Sequence, residues 1–124
     1  MDIVIWIIQG IVALLFMMAG IMKVSKSKEE LSQKMGWVEK FPKGQLKIIG
    51  LLEIIGSIGI VLPMILSILE ELTVVAAVGL SLVMMGAIAT HARRKEYKEL
   101  KVNFFILLLL GFVITGRVIL VPVL

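Results

Sequence analysis

The chain alternates between long apolar stretches and short segments that carry most of its charged residues. The apolar stretches lie at about residues 3–22, 48–67, 72–92 and 102–122. A helix needs roughly 20 mostly apolar residues to cross a hydrocarbon core of about 30 Å, and each stretch meets this requirement. The pattern predicts an all-α protein with four transmembrane helices.

Composition supports this prediction and leaves room for one domain. Of the 124 residues, 60% are hydrophobic, and the mean hydropathy is +1.08. A single small water-soluble core cannot bury that much apolar surface. We therefore predict one integral membrane domain over residues 1–124, surrounded by a lipid bilayer and located in a bacterial or archaeal plasma membrane.

The basic residues indicate the orientation of the helices. Seven lysines lie within residues 23–47 and five lysines and arginines within residues 93–101, while the thirteenth basic residue is Arg117. Because Lys and Arg accumulate in cytoplasmic loops, both segments are predicted to be cytoplasmic, which gives an N-out/C-out topology. This topology and anionic lipid explain the net charge of +4, so nucleic acid is not an expected partner.

The first basic segment carries the signals of a short helix. Ser27 and Glu30 form a capping-box pattern, in which each residue satisfies a backbone N–H group at the helix start. Trp37 and Phe41 are aromatic side chains suited to the headgroup level of a membrane. We predict a short cytoplasmic interfacial helix between the first two spans, with Trp37 and Phe41 as interfacial anchors.

The polar residues of each span fall on one helical face. They are separated by alternating steps of three and four residues, which keeps them aligned along a helix. Small residues on three of the faces allow close helix packing in a membrane. We therefore predict an antiparallel four-helix bundle with a partly polar interior. The faces comprise positions 9, 13, 16, 20 and 23; 46, 50, 53, 57 and 60; 77, 81, 84, 88 and 91; and 103, 106, 110, 113 and 117.

Depth in the membrane separates the inward-facing polar residues into two groups. Glu53 and Arg117 differ by on the order of 12 Å in depth, so an ion pair between them needs sliding helices or a wet interior. One group lies near the cytoplasmic boundary and the other on the outer side. The cytoplasmic group comprises Lys23, Glu53, His91 and Asn103, and the outer group comprises Gln9 and Arg117.

Several of these side chains also have simpler interpretations. Glu53 is either an ionised partner of Lys23 or a neutral acid available to a ligand. Arg117 and Lys23 are long enough to extend to water at the membrane surfaces, and His91 can cap its helix. The hydroxyl groups within the spans are expected to hydrogen-bond between helices. They belong to Ser57, Ser81, Thr90 and Thr115.

Five segments show a familiar order and spacing: FMMAGIMK (16–23), MGWVEKF (35–41), KIIGLLEIIGSIGIVLP (47–63), HARRKEYKELKVN (91–103) and ITGRV (114–118). In these segments the chain resembles the DoxX-like family of small four-span membrane proteins, and the resemblance covers nearly the whole chain. Relatives include proteins linked to membrane oxidoreductases, among them thiosulfate:quinone oxidoreductase, and a eukaryotic assembly chaperone for ligand-gated channels. The resemblance implies inward-facing site positions at Lys23, Glu53, His91, Asn103 and Arg117.

The sequence lacks the residues of common catalytic centres. With no cysteine it has no thiol–disulfide chemistry, and a single histidine does not make a two-histidine haem site or a typical zinc site. We therefore expect neither a bound metal nor catalysis by this chain alone. An accessory role in a membrane oxidoreductase is compatible with this expectation.

Two functions are compatible with these residues. The first is a non-catalytic membrane component that binds a lipid, a quinone or another amphipathic ligand, or supports a membrane complex. The alternative is a proton-coupled small-molecule exporter that uses Glu53, although the working acid of small multidrug exporters lies in the first span and Glu53 lies in the second. Both leave open a membrane protein partner or a homodimer. The site residues are Glu53, Lys23, His91, Asn103, Arg117 and Gln9.

Overall fold

The computed structural model describes residues 1–34, 36 and 43–123. Over these residues the protein is entirely helical, without β-strands. The chain ends its last long helix in a π-helical turn, Gly116–Leu120. The helices are α1 (Asp2–Ser25), α2 (Lys28–Lys34), α3 (Lys43–Leu66), α4 (Glu71–Arg93) and α5 (Tyr97–Thr115).

Four of these helices are long and apolar enough to cross a membrane. They cover residues 2–25, 44–66, 71–93 and 97–120, each 23 or 24 residues long. Large apolar side chains cover their outward surfaces, for example Ile3 and Leu108, which are more than 70% exposed. Such a surface is stable in lipid, and the protein is an integral membrane protein.

The helices α3 and α5 begin about five residues before the apolar stretches that predicted them. Lys43–Lys47 and Tyr97–Lys101 are already helical, although they are rich in charged residues. Lysine and glutamate favour helix as well as most apolar residues do. The apolar pattern therefore marks the part of each helix that lies in hydrocarbon, whereas the helix itself continues beyond it.

The inward faces are the ones that the sequence predicts. On α3 all five predicted positions are buried, and on the other long helices every predicted position is buried or half-buried. The periodicity therefore located the interior correctly. The apolar core comprises Val12, Phe16, Ile60, Ala77, Leu80, Met84, Leu110 and Val113.

Three of the hydroxyl groups within the spans bond within their own helix, which corrects the prediction that they join neighbouring helices. Ser57 Oγ donates to the carbonyl oxygen of Glu53 at 2.6 Å, and Ser81 Oγ donates to that of Ala77 at 2.7 Å. Thr90 makes the same bond one turn back within α4. A short hydroxyl group in hydrocarbon can donate to the carbonyl oxygen one turn earlier on its own helix. It then needs no acceptor on a neighbouring helix.

The short helix α2 begins with the predicted capping box. The backbone N–H of Glu30 donates to Ser27 Oγ at 3.2 Å, and Glu30 Oε1 accepts from the backbone N–H of Ser27 at 3.5 Å. Leu31, on the same helix, is almost fully buried. The predicted anchors Trp37 and Phe41 lie outside the described residues.

The backbones of α1 and α3 come nearly into contact at two glycines. A Cβ atom on Gly20 would lie 2.6 Å from the carbonyl oxygen of Gly50, and one on Gly50 would lie 2.8 Å from the carbonyl oxygen of Gly20. Backbone atoms cannot move away from an added Cβ atom as a flexible side chain can. The two glycines therefore set the spacing of this helix pair, as small residues do in membrane interfaces generally.

We expect Gly20→Ala to lower the free energy of unfolding by about 1–3 kcal/mol, since the added methyl group must push α3 away. Reversible unfolding of the purified protein in mixed detergent micelles measures this change. The matched control is Gly10→Ala on the same helix, where the new Cβ meets nothing within 4 Å. That control should keep or gain stability, by up to about 1 kcal/mol, because alanine favours helix. Equal losses in the two variants would contradict the prediction.

Candidate functional site

An ion pair joins the end of α1 to the middle of α3. Lys23 Nζ lies 2.7 Å from Glu53 Oε1, and the two side chains are only 12% and 5% exposed. The close approach of α1 and α3 at Gly20 and Gly50 brings the two residues within reach of each other. Glu53 was expected either to pair with Lys23 or to stay available to a ligand, and in the structure it pairs with Lys23.

A partly open cavity of about 690 Å³ lies beside this ion pair. Residues from all four long helices line it, together with Gly36. Its polar side chains cluster at the end where α1 and α4 finish and α3 and α5 begin. All four residues of the predicted cytoplasmic group therefore line the cavity. Its polar lining includes Lys23, Glu53, His91, Glu96 and Asn103.

The rest of the cavity wall is apolar and is built from small and large side chains. Phe16 and Met84 belong to the buried core, and Ile106 packs against that core. On α4, Gly86 and Ala89 are small, and they leave space instead of filling it. The cavity therefore offers apolar walls and a polar end, which is the usual construction of a small-molecule site.

A turn after α4 brings Glu96 next to His91. Lys95 adopts a left-handed conformation with φ of 57°, and the backbone N–H of Glu96 then donates to the carbonyl oxygen of His91 at 3.0 Å. The N–H of Lys95 donates to Ala92, which completes a Schellman motif. This reversal places Glu96 Oε1 2.9 Å from His91 Nδ1.

Glu96 is held as a carboxylate by two basic neighbours. The hydrogen bond with His91 is the main cause that lowers the pKa of Glu96 below its ordinary value, and the nearby charge of Arg94 acts in the same direction. Arg94 Nε lies 3.2 Å from the same carboxylate oxygen. His91 therefore faces a negative charge at the edge of the cavity.

Asn103, in the second turn of α5, lines the same cavity with an unsatisfied amide. Its Nδ2 atom is buried and has no hydrogen-bond partner among the described residues. A buried donor without an acceptor costs about 1–3 kcal/mol, so native proteins rarely keep one without a reason.

A second polar cluster lies at the opposite end of the helices, around Arg117. This side chain is fully buried and donates from Nε to Gln9 Oε1 at 2.6 Å and from Nη1 to Asp2 Oδ1 at 2.5 Å. Its guanidinium carbon lies 5.4 Å from the ring centre of Trp6, a cation–π distance. Arg117 therefore points into the protein and does not extend to the surface.

Gln9 links this second cluster to α3. Its Nε2 donates to the carbonyl oxygen of Ile60 at 2.7 Å while its Oε1 accepts from Arg117. The two predicted groups thus remain separate: Glu53 pairs with Lys23, and Arg117 pairs with Asp2. Gln9 and Arg117 do not line the cavity at the other end.

Sequence reasoning missed three partners in these clusters. Asp2 is seven residues before Gln9, a spacing that puts both on one helical face, so this signal was present in the sequence. Trp6 lies three residues before Gln9 and was available to the same argument. Glu96 had no such signal, since it follows the end of α4, where helical periodicity no longer applies.

The geometry defines the class of this protein. Four apolar helices of membrane-spanning length enclose a cavity with one polar end, so the chain is a small helical integral membrane protein with a ligand-sized internal space. The sequence model of the DoxX-like family matches residues 7–113, and the chain belongs to this family. No curated protein and no solved structure matches the chain.

We expect Lys23→Met to lower the free energy of unfolding by about 3 kcal/mol, because it leaves Glu53 buried without its counter-charge. Adding Glu53→Gln should restore most of this loss, since both charges are then gone. A double-mutant cycle of unfolding in mixed micelles measures the coupling. Lys101→Met, at an exposed position of α5, is the control and should be neutral. A double variant as unstable as the single one argues against the ion pair.

The lowered pKa of Glu96 predicts a pH-dependent contribution to stability. The contribution is present above the ordinary value of 4.5 and disappears as the pH falls through the lower value of the folded protein. Wild type should therefore be more stable than Glu96→Gln near neutral pH, and the difference should vanish once the pH has fallen below the lowered pKa of Glu96. Thermal unfolding across this range measures it.

The control for this titration is Ala92→Ser, an exposed neighbour that adds no titratable group. Its difference from wild type should not change with pH. If the difference between wild type and Glu96→Gln is also constant, the interaction with His91 and Arg94 does not stabilise the folded state.

Proposed function

We propose that this protein is a non-catalytic membrane component that binds a lipid, a quinone or another amphipathic molecule in its cavity. The observation that carries the proposal is the cavity of about 690 Å³ with apolar walls and one polar end. Its volume is within the range of about 300–1,000 Å³ that is usual for small-molecule sites. An amphipathic ligand matches such a space because its tail and its head need different surroundings.

The route into the cavity supports a ligand that arrives from the bilayer. Leu15 and Leu82 line the cavity and are also exposed on the outward surface, where lipid surrounds the helices. Helix α1 packs closely against α3 and more loosely against α5. A membrane-dissolved molecule would therefore enter from the side, without passing through water.

The proposed topology is an antiparallel four-helix bundle with N-out/C-out orientation. In its support, Gly20 contacts Gly50 while Gln9 contacts Ile60, so α1 and α3 run in opposite directions. The basic segments 23–47 and 93–101 would then face the cytoplasm, with α2 along the interface, in a bacterial or archaeal plasma membrane. The cavity and its polar end would lie in the cytoplasmic half.

The ion pair favours a binding role over proton-coupled export. In an exporter the membrane carboxylate must exchange its proton for a substrate, whereas Glu53 already has Lys23 as a partner at 2.7 Å. Substrate exchange in proteoliposomes that depends on pH and is lost in Glu53→Gln would reverse this choice.

We expect the wild-type protein, extracted gently from native membranes, to carry an amphipathic molecule that mass spectrometry identifies. Gly86→Leu should lose this molecule, because it adds a large side chain at a position that lines the cavity and where a Cβ meets no atom within 4 Å. Gly79→Leu is the matched control: it lies two turns away on the same helix, it also meets nothing within 4 Å, and it is not part of the cavity lining.

Equal ligand content in the two leucine variants would count against the cavity as the binding site. A protein, including a second copy of this chain, that co-purifies in a fixed ratio with wild type and both variants would favour support of a membrane complex instead.

A further inference from the structure

The charges at the polar end of the cavity are already balanced within the protein. Lys23 and Glu53 form one pair at 2.7 Å, and Glu96 faces both His91 and Arg94 at 2.9 and 3.2 Å. Each buried or half-buried carboxylate of the lining therefore has a basic partner. Among the described residues, the buried part of the lining has no charge of either sign that needs a counter-ion from a ligand.

Two further charges lie at the mouth of the cavity, and they are of opposite sign. Arg93 and Glu99 are both exposed, so water solvates them. Exposed charges are screened and contribute little to binding. They add no net preference for an anion or a cation.

The unsatisfied group in the lining is a neutral hydrogen-bond donor. Asn103 Nδ2 is buried and has no partner in the part of the chain that the structure describes. An amide N–H₂ group is satisfied by any oxygen acceptor, and it does not need a charged one. The apolar walls, including Phe16 and Met84, surround the space next to it.

We propose that the cavity selects an uncharged amphiphile whose polar end carries a carbonyl or ester oxygen, and that Asn103 Nδ2 donates a hydrogen bond to this oxygen. The proposal rests on the binding function above and specifies the chemistry of the ligand. A ligand with a carboxylate or an ammonium group would bring a buried charge into a site whose own charges are paired, and it would lose hydration without compensation.

Four single-chain molecules of equal length test the proposal: a fatty acid methyl ester, the corresponding carboxylate, an alkyltrimethylammonium ion and the plain hydrocarbon. Binding to the delipidated full-length protein in detergent is measured by native mass spectrometry above the pKa of the acid. The methyl ester should bind at least about tenfold more tightly than each of the others, which corresponds to one good hydrogen bond or the avoided burial of a charge.

The variant Asn103→Leu keeps the size of the side chain and removes its donor. It should abolish the preference for the ester over the hydrocarbon and leave the affinity for the hydrocarbon unchanged. A residue with a purely structural role would alter the affinities for both molecules together. Gly79→Leu, which lies outside the cavity, should preserve the preference.

Tighter binding of the carboxylate or the ammonium ion would overturn this proposal, and so would an ester preference that survives in Asn103→Leu. In either case the cavity still binds an amphiphile, and the proposed function remains. If none of the four molecules binds and no molecule co-purifies with the wild-type protein, both proposals fail.

Discussion

The contact between Gly20 and Gly50 sets the distance between the backbones of α1 and α3, and the polar interior depends on this distance. Lys23 and Glu53 each lie three residues after one of these glycines, and their side chains meet across the helix contact at 2.7 Å, next to the polar end of the cavity. A glutamate side chain is short, so it reaches a neighbouring helix only when the two backbones lie close together. Hydrocarbon offers neither charge a water molecule, and each group is stable there because the other neutralises it. Because Gly20 and Gly50 have no side chains, the two helices lie close enough for the buried ion pair to form.

The two ends of the interior use their space in opposite ways. Around Arg117, long side chains from α1 and the π-helical turn fill the interior, and the guanidinium group is fully buried. Around His91, the lining includes small residues such as Gly86 and Ala89, and the cavity is partly open. The apolar core between the ends separates the two clusters. The same arrangement of helices therefore provides a closed polar cluster at one end and a partly open cavity at the other.

The sequence predicted the inward faces of the helices correctly because residues three and four positions apart lie on the same side of a helix. It placed Glu53, Asn103 and Arg117 on inward faces for this reason. It did not reveal Glu96, whose position depends on the left-handed turn at Lys95, a conformation for which lysine gives no signal. The prediction was also wrong for three hydroxyl groups, those of Ser57, Ser81 and Thr90, since a hydroxyl in a helix has a carbonyl oxygen available on its own helix as well as on its neighbour. The cavity itself depends on how four faces fit together, which no single helix encodes.

The buried guanidinium group of Arg117 has a consequence for biogenesis. An arginine opposes entry into a bilayer, by about 2.5–3.5 kcal/mol at the centre of a helix on insertion scales, and Arg117 lies three residues before the end of its span. Its partners Asp2 and Gln9 belong to α1, which is synthesised before the segment that carries Arg117. The acceptors that offset the cost of this charge in lipid are therefore already present in the chain when Arg117 is synthesised.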